Sequence, residues 1–340
     1  MSRGLGDVYK RQFQHFVGCD VSKDTLDFAL YARDTNMRSF PHVRVSNSPD
    51  GFKQMCKWLK TNKVKIKDCV VAMEHTGIYS QPLSQWCHKK KLAFVFLNPL
   101  DVKNACTTGR HKTDRDDACF IADYVYTNRE KLKPSEPTPP VIDKLRELRN
   151  ERTLAVKTRT AYRNHLATMT DPASRERMEQ LIKELSAQIR KIEKDIEATM
   201  KSEESLGRNY KLLMTIPGIG MINSLQTIIA TANFIRFQTA RQYAKFCCVS
   251  PLSKESGKTI RCGDHVVKKG HNEIKACLTE GARSAVIKDP GIAAYYKRKR
   301  AEGKSHGTVM NAVKFKLICR MFAVINRQQP YVDTDKYRSK

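Results

Sequence analysis

Between Phe16 and about Tyr126, short apolar runs alternate with stretches of helical spacing. Phe16–Asp20, Leu26–Tyr31, His42–Ser46, Cys69–Met73 and Leu92–Leu97 read as β-strands. Asp50–Lys60, with Phe52, Met55, Cys56 and Leu59 on one face, reads as a helix, as do Gln81–Lys91 and Asp114–Tyr126. Strands separated by helices predict an α/β layer fold. The eight residues 133–140 hold four prolines, which no helix or strand interior tolerates, so they predict a linker. Beyond it the period changes. Val141, Leu148, Ala155, Tyr162 and Met169 fall seven apart, and the opposite face is rich in Lys and Arg. Asp171-Pro172 has the form of an N-cap followed by proline at the first helical position. Met178, Ile182, Leu185, Ile189, Ile192 and Ile196 then step by alternating fours and threes, a coiled-coil seam. That pattern suits an intramolecular helical hairpin and an intermolecular coiled coil equally. About 208–330 reads as mostly helical.

The expected organisation is therefore a non-native-looking tail over 1–12, an α/β domain over 13–132, a linker over 133–140, coiled-coil helices over 141–205, a C-terminal domain over 206–330 and a tail over 331–340. MSRGLGDVYKRQ carries no apolar periodicity and runs abruptly into a strand, so it is set aside from fold reasoning; it also lacks the apolar core of a signal peptide.

Charge narrows the partner class. The 340 residues include 62 Lys and Arg against 35 Asp and Glu, a net charge of +27. Residues 241–330 alone hold 19 Lys and Arg against 6 Asp and Glu. Such a surplus on a chain with 40% hydrophobic residues points to a folded protein with a polyanionic partner, most often nucleic acid. No run of 18 apolar residues exists, so no membrane partner is expected. The 11 cysteines include no CxxC pair and read as reduced thiols of a cytoplasmic protein.

The acids carry candidate chemistry. Asp20 closes the first apolar run and Glu74 follows another, while Asp114 and Asp117 lie three apart at the head of a helix and share a face. An acid after a buried strand is usually a loop residue or a cap. Four brought together would repel, and a pair of Mg²⁺ or Mn²⁺ ions, which favour oxygen-only ligands, would cancel that repulsion and form a clamp for displacement at phosphorus. Lys112 and Arg115 flank the pair as phosphate contacts or plain surface charge.

GCDVSKDTLDF, MEHTGIY and GRHKTDRDDACFIADY resemble the DEDD catalytic domain of the insertion sequence 110 transposase family. The resemblance covers about residues 15–325 and implies a RuvC-like, RNase H-like fold, with Asp20, Glu74, Asp114 and Asp117 as the metal-binding catalytic set. In the C-terminal region, LLMTIPGIG reads as helix, tight turn, helix; Gly218 and Gly220 frame a turn whose free N–H groups could meet a phosphate, although an ordinary helix–helix connection has the same signature. FCCVSPLSKESGKTIRCGDHVVKKGHNEIKACL resembles the family's serine-bearing segment, which carries the nucleophile over to Ser256, with Ser250 and Ser253 as competitors. The family often has a second glycine where this chain has Lys258. Lys254, Lys258, Arg261, Lys268 and Lys269 would stabilise charge developing on a phosphodiester. Cys262, His265, His271 and Cys277 match no zinc-finger or ribbon spacing. Tyr295–Arg300 mixes aromatic and cationic residues, as a nucleic-acid contact or as a solvated helix end.

The resemblance implies a DNA recombinase that cuts and rejoins donor and target double-stranded DNA under the guidance of a structured noncoding bridge RNA. It further implies a homodimer that assembles into a tetrameric synapse, and a prokaryotic cytoplasmic, nucleoid-associated setting. Two other readings remain: a RuvC-like metal nuclease that forms no covalent intermediate, and a non-catalytic nucleic-acid-binding protein.

Overall fold

The computed structural model describes residues 13–332 except 34, 75–78, 98–101, 103–104, 106–112, 251, 257–259 and 266–271. The chain divides into two compact units, Met1–Thr138 and Pro139–Lys340.

The first unit is built on a five-stranded mixed sheet, with strands β1 (His15–Val21), β2 (Thr25–Leu30), β3 (His42–Ser46), β4 (Cys69–Glu74) and β5 (Ala93–Leu97) in the order β3-β2-β1-β4-β5. β1, β2 and β3 form an antiparallel meander, and β4 and β5 run parallel to β1. This is consistent with the expected α/β RNase H-like domain. Both faces of the central strands are covered. Val17, Cys19, Leu26, Phe28, Val71 and Met73 face helices α1 (Pro49–Thr61) and α2 (Gln81–Lys89) through Phe52, Met55, Leu59, Leu83 and Cys87. Phe16, Val70 and Ala72 face helix α3 (Asp114–Thr127) through Ile121 and Val125. Alternation along the strands therefore assigns their buried residues to one helix layer or the other. α1 starts where Ser48 Oγ accepts from Gly51 N, with Pro49 at the first turn.

Two expectations shift by a residue or so, with consequences. Asp20 lies inside β1, because β2 continues to pair through Val21↔Leu26. Glu74 is the last residue of β4 and pairs with Leu97. Neither acid is a loop residue.

The second unit is mainly helical. α4 (Pro140–Leu166) and α5 (Pro172–Lys201) lie antiparallel, tied by Arg152–Glu193 and by Arg159 donating to Ser186 Oγ. Asp171 caps α5 by accepting from Ser174 N. Ile189, Ile192 and Ile196 of the seam are buried. Met178, Ile182 and Leu185 are only half-buried. α6 (Glu204–Met214), α7 (Met221–Thr231), α8 (Ala240–Phe246), α9 (Asn272–Lys288), α10 (Pro290–Ala301) and α11 (His306–Arg327) complete the unit. Val313, Leu317, Ile318 and Met321 of α11 are fully buried in its core. An antiparallel ribbon of β6 (Leu252–Ser256) and β7 (Ile260–His265) interrupts the helices. The sequence reading placed no strands here, since the segment is polar and its apolar residues are too sparse to register as alternation. Among the described residues, no helix is long and apolar enough to cross a membrane.

Candidate active site

The site is built outward from the α3-facing side of the sheet. On β1, Phe16, Gly18 and Asp20 alternate onto that side. Gly18 lets α3 settle directly on the strand: a Cβ there would collide with the Ala118 carbonyl oxygen and the Ala122 nitrogen. This close approach brings the first turn of α3 over the end of β1 that holds Asp20. On β4, Val70, Ala72 and Glu74 share the same side. The parallel ladder pairs Cys19 with Met73, so its next step sets Asp20 beside Glu74.

The row continues in the other direction. Asp20 pairs with Asp27 of β2, and Asp27 pairs with Arg44 of β3. Arg44, Asp27, Asp20 and Glu74 thus cross four adjacent strands in one line, with Asp114 and Asp117 supplied by α3. Sequence reading missed Asp27 and Arg44. The one available signal was an acid inside the apolar run TLDFAL, a position where a charge is costly unless it is paired.

Asp27 is 2% exposed and its carboxylate is fully engaged. His42 Nε2 lies 2.7 Å from Oδ1, and Arg44 Nε donates to Oδ2 at 2.9 Å and to Oδ1 at 3.1 Å. Arg44 Nη2 donates to Asp114 Oδ2 at 2.7 Å. Asp20 is half-buried. Its carboxyl is pushed from 3.8 up to about 6, first by burial and then by the negative charges of Asp117, Asp114 and Asp27. The carboxylates are therefore close enough to repel one another, the electrostatic condition that a bound cation relieves. Their oxygen-only chemistry fits Mg²⁺ or Mn²⁺. Among the described residues, no three His, Cys, Asp or Glu side chains converge tightly enough to hold a metal ion, and Asp114 is engaged by Arg44.

α3 has its own start signal. Thr113 Oγ accepts from Asp116 N and donates to Asp116 Oδ2, so Asp116 belongs to the cap. Arg115 lies against Cys119. Lys112 falls outside the described residues.

In the second unit, Ser256 ends β6 and pairs with Ile260 across the ribbon; Lys254 pairs with Cys262, and Glu255 with Arg261. Their side chains lie outside the description, as do residues Lys258, Lys268 and Lys269 entirely. Ser250 is buried, with its N bonded to Ala244 O. Ser253 lies within β6. Gly218 adopts φ +89° between α6 and α7 and packs so closely on α9 that a Cβ would come within 2.5 Å of Gly281 O. That packing accounts for its glycine. Gly220, the residue before α7, is exposed with open space around it, and no side chain caps the helix.

Comparison with known proteins matches the chain to two transposase models, the first of which runs on from the first unit into the second. The IS110 DEDD transposase model covers residues 17–172, and the model of the transposase IS116/IS110/IS902 family covers residues 210–297. The chain belongs to the IS110 family of transposases. It is a DNA transposase/recombinase, and DNA is its substrate. It is 25% identical over 326 residues to the pilin gene-inverting protein of Moraxella bovis, spanning 93% of this chain and 97% of that one. The pilin gene-inverting protein of Moraxella lacunata is 24% identical over the same shares. A 43.6 kDa IS110 protein of Streptomyces coelicolor is 27% identical over 114 residues, 34% of this chain and 28% of that one.

Proposed function

We propose that this IS110 transposase cuts and rejoins donor and target DNA by two successive transesterifications. Asp20, Glu74, Asp114 and Asp117 would hold paired Mg²⁺ (or Mn²⁺) ions and Ser256 would serve as nucleophile. The observation that carries the reading is the placement of Asp20 and Glu74 on adjacent central strands beneath the acidic first turn of α3. When bound there, the ions would stabilise charge developing on a phosphoryl oxygen.

The chain's own steps follow from serine chemistry. Ser256 Oγ loses its proton and bonds to phosphorus, and the displaced deoxyribose oxygen leaves with a proton. The resulting serine phosphodiester keeps the energy of the broken bond. A deoxyribose hydroxyl from the other duplex then attacks the same phosphorus and releases Ser256. Lys254, Lys258, Arg261, Lys268 and Lys269 would offset the negative charge of that phosphate. Lys112 and Arg115 would contact the DNA backbone near the carboxylates, and the free N–H groups around Gly218 and Gly220 a second phosphate, Gly220 being the more open of the two.

A guide role for a structured noncoding RNA is supported by the net charge of +27, far more than one catalytic phosphate requires. Pairing of α4–α5 hairpins between protomers would build a homodimer and then a tetrameric synapse; the half-buried Met178–Leu185 end of the seam is available for that. The setting would be the cytoplasm, at the nucleoid. The inversion named in the Moraxella relatives is a cut-and-rejoin reaction of the same class, and the chain aligns with almost their whole length.

Full-length protein incubated with cognate DNA, its RNA and Mg²⁺ should form a protein–DNA adduct that survives denaturation. Ser256→Ala should lose the adduct and the recombinant product while still binding RNA and DNA. Ser250→Ala and Ser253→Ala should keep it. Clean cleavage with no adduct in the wild type would instead favour a RuvC-like metal nuclease.

A further inference from the structure

Arg44 has two partners of different kinds. Its Nε edge rests on Asp27, which is buried and fixed from the other side by His42. Its Nη2 arm reaches out of the sheet to Asp114, whose side chain is 52% exposed. The arginine stands at the end of the row that runs through Asp27 and Asp20 to Glu74. A planar guanidinium with one edge anchored is a rigid donor, unlike a lone surface cation. The anchor is the informative part. A buried carboxylate beside Asp20 adds to the repulsion in the cluster, so it is an expensive feature unless it holds something in place.

We propose that Arg44 is a positioning residue of the carboxylate site: anchored on Asp27, it holds Asp114 and competes with a divalent cation for that carboxylate. A cation binding Asp114 must draw it from a fixed guanidinium, which weakens binding by the protein alone. Substrate phosphates, which add negative charge beside the carboxylates, shift the balance toward the cation. Arg44 thereby makes cation loading depend on the presence of DNA. The proposal rests on the metal-binding role given above to Asp20, Glu74, Asp114 and Asp117.

The test is Mn²⁺ binding to the full-length protein without nucleic acid, read from the loss of the free-ion paramagnetic resonance signal. Arg44→Gln removes the charge and keeps a donor for Asp27; thermal melts and far-ultraviolet circular dichroism report its fold. Mn²⁺ should bind Arg44→Gln about three- to tenfold more tightly than wild type. Arg44→Lys, which keeps the charge and loses the fork, should fall between them. The gain should vanish in Arg44→Gln/Asp114→Asn relative to Asp114→Asn, a coupling that a purely structural role for Arg44 would not produce. Equal affinity in wild type and Arg44→Gln, or a gain that persists without Asp114, overturns the proposal while leaving the metal assignment intact if Asp20→Asn still weakens binding. Affinity unchanged by Asp20→Asn overturns the metal assignment and the proposal with it.

Discussion

The two sets of candidate catalytic residues stand on unlike supports. The carboxylates rise from adjacent central strands covered on both faces, and from a helix seated on Gly18 with no side chain between. Ser256 ends a two-stranded ribbon that pairs with no third strand among the described residues. A two-stranded ribbon has little stability of its own. A central sheet of five strands fixes its side chains by register, so acids that repel can be held together there against their own charge. On the proposed reading the labour is divided: the sheet would store electrostatic tension for cation binding, and the ribbon would present a neutral nucleophile that needs no such support.

The largest expected contrast is in chemistry. Asp20→Ala, Glu74→Ala, Asp114→Ala and Asp117→Ala should each lower strand cleavage by on the order of 10³-fold or more, with DNA and RNA binding retained in filter or anisotropy assays. Ser256→Ala should instead remove the covalent adduct. Should all five variants lose nucleic-acid binding in parallel, the division between the halves collapses.

Next comes the packing that joins strand to helix. Gly18→Ala should destabilise the first unit by about 2–3 kcal/mol, because the new Cβ meets backbone rather than a yielding side chain. Gly220→Ala, with open space around it, should change stability by less than about 0.5 kcal/mol. Denaturant melts of the two variants measure the contrast.

The stored tension has a pH signature. The Asp20 carboxyl is raised from 3.8 to about 6 in the folded protein. The folded state therefore holds the proton more tightly than the unfolded one, and the charged form costs stability above about 6. Asp20→Asn should raise thermal stability at about pH 8 by about 1–2 kcal/mol, a figure already reduced because the side chain is partly solvated. The gain should shrink as pH falls through about 6 and disappear near 3.8. An Asn variant no more stable than wild type at high pH would mean that the sheet holds no such tension.

The smallest effect separates neighbours on α3. Thr113→Ala should cost about 0.5–2 kcal/mol through loss of the cap. Asp116→Ala should be milder than Asp117→Ala in cleavage, since its carboxylate accepts from Thr113 Oγ. Equal loss of cleavage at 116 and 117 would place the cap residue in the site as well.

Much of this was legible in the linear pattern. Short apolar and β-rich runs located all five strands of the sheet to within a residue or two, and spacing of Phe52, Met55 and Leu59 located α1. Asp20, Glu74 and the Asp114/Asp117 face stood out because charge at the end of an apolar run is chemically conspicuous. The ribbon around Ser256 did not stand out, because its strands are polar and short.

By itself, then, the sequence determined the elements of the main sheet and most helices, the face on which their side chains lie and four of the acids worth watching, since these depend on local period and local cost. Tertiary structure alone decided who stands beside whom. Asp27 and Arg44 are 17 residues apart and reach one another only because the β2–β3 ladder pairs them; Arg44 and Asp114 are 70 apart and meet only because α3 lies on that face of the sheet. Periodicity assigns a residue to a side of a strand. Register and the missing Cβ of Gly18 set the neighbours, and burial together with those neighbours' charges raises the Asp20 carboxyl.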